Sequence, residues 1–127
     1  MGRRYALPRA VAAALAQVFE EPVDGVVVIE RSRYAKLHWG MSATTRPNRI
    51  LLAMSGAEFI ASPELLLHEY YHVLCQWRNG YLTRWRYLQE FMRSGYRENR
   101  FELEARVFAA GAVDPYCRYL RDTVSAA

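Results

Sequence analysis

The chain has 127 residues, a length that suits one domain with a core of its own. Apolar residues make up 52% and charged residues 24%, which excludes the disordered and fibrous classes, and no stretch is long enough to span a membrane. The formal net charge of +4 comes from arginines scattered along the chain, with Lys36 the only lysine. Dispersed charge of this kind argues against a nucleic-acid footprint, and neither nucleic acid nor membrane is an expected partner.

Taken in order, the chain opens on Arg3-Arg4 and an apolar run from Val11 to Val18, with Arg9 standing between them. Leu7, Val11, Leu15, Val18 and Phe19 fall at helical spacing, so an amphipathic helix over about 7–20 is predicted rather than a signal peptide. Pro22 and Asp24-Gly25 break it. Val26 to Glu30 reads as a strand. Lys36 to Met41 and Arg49 to Met54 read as two more, with Pro47-Asn48 as a turn signal between them, and a small antiparallel sheet is predicted.

After Gly56 the periodicity is helical. Ser62-Pro63-Glu64 combines a capping residue, a proline suited to the first helical position and an acid in the first turn, and Asn79-Gly80 is a stop signal. A helix over about 63–78 follows. Further helices are predicted over about 83–94, from Asn99 to near Gly111, and from Asp114-Pro115 towards the C-terminus. Cys75 and Cys117 lie far apart, outside any C-x-x-C pattern, so no disulfide framework is expected and a cytoplasmic, reducing setting is.

The chemistry sits in the best-marked helix, as His68-Glu69-Tyr70-Tyr71-His72. At about 100° per residue the two histidines stand about 40° apart and one turn along, so both imidazoles can reach one metal ion. Glu69 lies at the edge of that face, placed to take a proton from a zinc-bound water. Leu66, Leu67, Tyr70, Val73, Leu74 and Trp77 form an apolar opposite face, which predicts a buried helix presenting its histidines to a cleft.

A catalytic zinc takes three protein ligands and keeps one position open. No histidine follows His72, and the position ten residues after His68 is Arg78. The third ligand is then an acid, a cysteine or His38. Glu102 is preferred, because it shares a helix side with Ala105 and Ala109, small residues that permit a close helix approach. Glu98 and Glu104 are the reserves. A competing role for Glu102 is local: Asn99 with Glu102 three residues on matches a capping box. Cys75 points outside the ligand arc. His38, in a strand beside Trp39, suits an oxyanion stabiliser, a cleft wall or a simply structural residue, and is left out of the core site; Tyr81 and Tyr96 are candidate transition-state donors.

These residues resemble the gluzincin metallopeptidases, which pair His-Glu-x-x-His with a glutamate on a later helix, in several families as Glu-x-x-Ala-Asp or Glu-x-x-Ala-Asn. Glu102-Leu-Glu-Ala105-Arg106-Val-Phe108-Ala109 is similar to that pattern, with Arg106 in place of the Asp or Asn. Leu7-Pro8, Val23 to Val28, Ala43-Thr44-Thr45 and Asn48-Arg49-Ile50 resemble the small metallopeptidase-like domain found with contractile injection systems. The resemblance implies an α+β fold with a minimal gluzincin-like core over a single domain, 1–127. It implies Zn2+ held by His68, His72 and Glu102, Glu69 as the catalytic residue, and hydrolysis of a peptide or protein substrate. It also implies an edge strand that holds the substrate, for which Arg49 to Met54 is the candidate. The alternative is a zinc-stabilised interaction module without turnover. A chain this short lacks the second lobe of a protease cleft, so a dimer or a partner protein is expected to complete it.

Overall fold

The structure is a computed structural model that describes residues 2–32, 43–80, 82–95 and 99–126. The chain opens on β1 (Arg3–Tyr5), three residues that are too few to show a period-2 pattern in sequence. Helix α1 (Arg9–Phe19) follows and buries Val11, Ala14 and Leu15. It stops at Glu20, which turns left-handed at φ 59°. Strands β2 (Val27–Glu30), β3 (Ala43–Arg46) and β4 (Arg49–Leu52) complete a four-stranded sheet of order β1-β2-β4-β3.

The sheet is mixed rather than wholly antiparallel. β3 and β4 form the hairpin that Pro47-Asn48 announces, with Asn48 at φ 58° supplying the turn. β1 runs antiparallel to β2, while β2 pairs with β4 in parallel, Val27 opposite Arg49 and Ile29 opposite Leu51. Hairpins announce themselves through local turn residues; a parallel neighbour reached by a long crossover leaves no such signal. The strand read over Lys36–Met41 lies outside the described residues. β4 lies inside the sheet between β2 and β3, so it cannot be the edge strand assigned to it above. Among the described residues the edge nearer the motif helix is β3, where Thr45 Oγ1 accepts a 3.0 Å hydrogen bond from Trp77 Nε1.

Helix α2 (Gly56–Ile60) is closed at its start by a capping box between Ser55 and Glu58, which the sequence reading passed over. Helix α3 (Pro63–Tyr71) then begins with Pro63 in its first turn, as read. Ser62 does not cap it: its hydroxyl instead donates to the Glu58 carbonyl of the helix that has just ended, at 3.4 Å. From His72 to Trp77 the helix widens into a π-helical turn, and it stops at Asn79-Gly80, with Gly80 left-handed at φ 79°. Helix α4 (Arg84–Ser94) starts under a Thr83 cap that accepts from the Arg86 amide at 3.0 Å.

The last element is one long helix, α5 (Arg100–Ala126), where two were expected. Pro115 sits inside it and removes the hydrogen bond that would close on Gly111. The helix continues because Ala112 and Tyr116 are both buried in the core and hold its axis there, while Gly111 faces water. α1, α3 and α5 pack together and against the sheet around Leu15, Ile50, Leu52, Leu67, Tyr70 and Tyr116. The architecture is α+β, as read. Among the described residues no helix is long and apolar enough to cross a membrane. Cys75 and Cys117 are free thiols at the margin of the core.

Candidate metal centre

Helix α3 buries Leu66, Leu67, Tyr70, Val73 and Leu74, and that anchoring leaves His68, Glu69 and His72 to face α5. On α5, Ala105 and Ala109 are fully buried, so the two helices approach closely and the first turn of α5 carries Glu102 to the histidines. Glu102 Oε1 lies 2.9 Å from His68 Nε2 and 3.1 Å from His72 Nε2, and the two imidazole nitrogens are 3.2 Å apart. A tetrahedral ion with bonds of about 2.0–2.1 Å spaces its ligands about 3.3–3.4 Å apart. These three atoms form nearly such a triangle, and the donor set fits a divalent cation.

The capping alternative for Glu102 is not what the helix uses. Asn99 alone caps, its Oδ1 accepting from the Phe101 amide at 2.8 Å, while both Glu102 oxygens are committed to the site. Glu104 stands one layer out, accepting from Gln76 Nε2 at 3.1 Å. Cys75 is half-buried among apolar neighbours, and burial pushes its thiol pKa up. Glu98, His38, Tyr81 and Tyr96 lie outside the described residues.

Gln76 was missed by the sequence reading. It is fully buried, and its Nε2 donates to the Phe101 carbonyl and to Glu104, both at 3.1 Å. Those two bonds orient the amide, so its Oε1 accepts from His72 Nδ1–H at 2.6 Å. The proton is thereby held on Nδ1, and Nε2 offers its lone pair to the shared point. Both residues lie in the π-helical turn, four residues apart, which keeps Gln76 within reach of His72. The only trace in sequence was the spacing of one turn. Tyr87 on α4 was also missed; its hydroxyl donates to Glu102 Oε2 at 3.0 Å, and nothing in sequence separated it from the chain's other tyrosines.

The electrostatics follow from three electron-rich atoms meeting at one point. Burial acts to lower the His72 pKa, but the hydrogen bond and charge of Glu102, the charge of Glu69 and the Gln76 contact outweigh it and push it up to about 9. Burial acts to raise Glu102, and the bonds and charges of His68 and His72 outweigh that, holding its carboxyl well below the usual carboxylate range. Both shifts have one cause, the Glu102 carboxylate lying against two imidazoles, an arrangement that favours positive charge between them. Glu69, 4.0 Å from His68 Nε2, is buried, and that burial raises its pKa despite the pull of His72 and His68, with Glu102 adding to the rise.

Comparison with protein-family models, curated proteins and solved structures finds no match for the chain.

Proposed function

We propose that the chain is a zinc-dependent peptidase that hydrolyses a peptide or protein substrate, with His68, His72 and Glu102 as ligands and Glu69 as the acid–base group. The observation that carries this reading is the convergence of three donor atoms within 2.9–3.2 Å of one another, with a buried carboxylate beside them. Two imidazoles and one carboxylate are a ligand set of catalytic zinc, leaving one coordination position open. When bound, the ion supplies Lewis acidity, polarising the scissile carbonyl and making water acidic enough to attack at neutral pH.

The residues of the chain do the rest. Glu69, whose carboxyl holds a proton more readily than an ordinary glutamate, takes a proton from the attacking water and delivers it to the departing amine. Gln76 and Tyr87 support the ligands from the positions described, and Arg106 Nε donates to the Glu102 backbone carbonyl at 3.4 Å. Helix α4 exposes Trp85, Leu88 and Met92 along one side, a surface that a substrate, a second copy or a partner protein can cover in completing the cleft.

Arg106, standing where the resembling families carry Asp or Asn, favours the second reading, a zinc-stabilised module without turnover. Glu69→Gln separates the two. Under the first reading the variant keeps stoichiometric zinc and loses cleavage of an unfolded-protein digest followed by mass spectrometry. Equal peptide patterns from wild type and variant would leave only the module.

A further inference from the structure

We infer that Tyr87 is a positioning residue that makes Glu102 a one-oxygen ligand and thereby keeps a coordination position open; this rests on the metal reading above. The two oxygens of Glu102 have different surroundings. Oε1 is the atom shared with His68 and His72, at 2.9 and 3.1 Å. Oε2 accepts the phenol hydrogen of Tyr87 at 3.0 Å. A carboxylate is able to hold a cation through either one or both oxygens; the phenol occupies one of the two lone pairs of Oε2 and draws that oxygen towards Tyr87, which favours coordination through Oε1 alone. With Oε2 held, the chain supplies three ligand atoms, the number that leaves an open fourth position.

Helix α4 sets where Tyr87 stands. Thr83 caps the helix through the Arg86 amide, and the Tyr87 amide closes the first turn on the Thr83 carbonyl at 2.9 Å. The ring lies nearly parallel to that of Phe101, at 19° and 6.5 Å between centroids, and Phe101 is fully buried next to Glu102 in sequence. Glu90, one turn further along α4, faces Arg100 at the start of α5 at 4.0 Å. Tyr87 thus belongs to a contact that ties the start of α4 to the start of α5, and its hydroxyl is the part of that contact that reaches a ligand.

The experiment uses the full chain loaded with Co2+, whose visible spectrum reports coordination number, and with Zn2+ in competition with a chromophoric chelator. Wild type is expected to take up one Co2+ with the intense absorption of a four-coordinate ion. Tyr87→Phe keeps the ring and loses only the hydroxyl. It is expected to fold as wild type by circular dichroism, to hold Zn2+ about 10–100-fold more weakly, and to show the fainter cobalt bands of a five-coordinate ion as Glu102 closes on the metal with both oxygens. An unchanged affinity and spectrum in Tyr87→Phe overturns the inference while leaving the metal reading intact. A wild-type chain that takes up no stoichiometric Co2+ overturns both. Should Tyr87→Phe not fold, Thr83→Ala takes its place. That change loosens the first turn of α4 without touching the site, and a cobalt spectrum unmoved by a frayed α4 overturns the inference in the same way.

Discussion

His72 shows how one buried side chain is given a single role by its neighbours. Its Nδ1–H is held by Gln76, and its Nε2 faces Glu102 and His68, so with no ion at the cluster Glu102 favours a second proton on Nε2 in place of the free lone pair. The consequence for stability has a definite sign. His72 moves from an ordinary value of 6.5 to about 9 on folding, so its contribution is complete below about pH 6.5 and is lost as pH rises towards 9. Glu102 moves the other way, and its contribution is present above its ordinary 4.5 and is lost on acidification. Thermal unfolding of the protein without added metal is therefore expected to lose stability on acidification below about pH 4.5 and again from 6.5 to 9, with the raised Glu69 carboxyl adding a loss that begins above 4.5. A flat profile across the alkaline window contradicts the assignment. Of the residues involved, His68, Glu69 and His72 were legible because i and i+4 share a helix face, and Glu102 because small residues follow it on one side. Gln76 was within reach of the same spacing argument, but its importance depends on the Phe101 carbonyl and on Glu104, both supplied by another helix. Tyr87 was out of reach, because a tyrosine becomes a positioning group only when something acidic stands opposite its hydroxyl.

At the scale of elements, the site depends on the line where α3 meets α5. Ala105 and Ala109 are fully buried, and their small size is what brings the helices close enough for one carboxylate oxygen to touch two imidazoles. Ala105→Leu adds three carbons to a filled interface and is expected to lower stability by about 1–3 kcal/mol, read as an earlier midpoint in urea with an unchanged slope. Because Glu102 lies one turn before Ala105, the same variant should also hold metal more weakly; one that lost neither stability nor affinity would show that the helices do not meet along this line. Helix α3 itself was readable from Pro63 to Asn79-Gly80, since proline placement and glycine stops act through the backbone of their own residues. Its π-helical turn was not, and neither was the continuity of α5. Pro115 favours a break by local rules, and burial of Ala112 and Tyr116 outweighs them.

At the scale of the whole molecule, the candidate ligands come from segments 30 to 34 residues apart, so an ion held by them would cross-link the helical half of the fold. An ion that binds only the folded chain stabilises it by mass action, about 2.7 kcal/mol at one hundred times its dissociation constant. Zn2+ in such excess is expected to raise the melting temperature by several degrees, and Glu102→Gln to cancel that rise while folding on its own. An equal rise in the variant would place the ion elsewhere.

What the sequence by itself determined is whatever a residue imposes on its own helix or turn: the span and facing of α3, the Pro47-Asn48 hairpin, the histidine pair and the acid between them. The α+β class followed from those local patterns. Only the tertiary structure decided that β2 and β4 run parallel, that β4 is interior and, among the described residues, β3 an edge, that α5 is unbroken, and that Glu102 rather than Glu104 meets the histidines. The physical reason is range. Periodicity, caps and turns act over a few residues, whereas strand order, helix approach and a shared ligand point depend on which surfaces the core brings together, and no short window of sequence contains both partners.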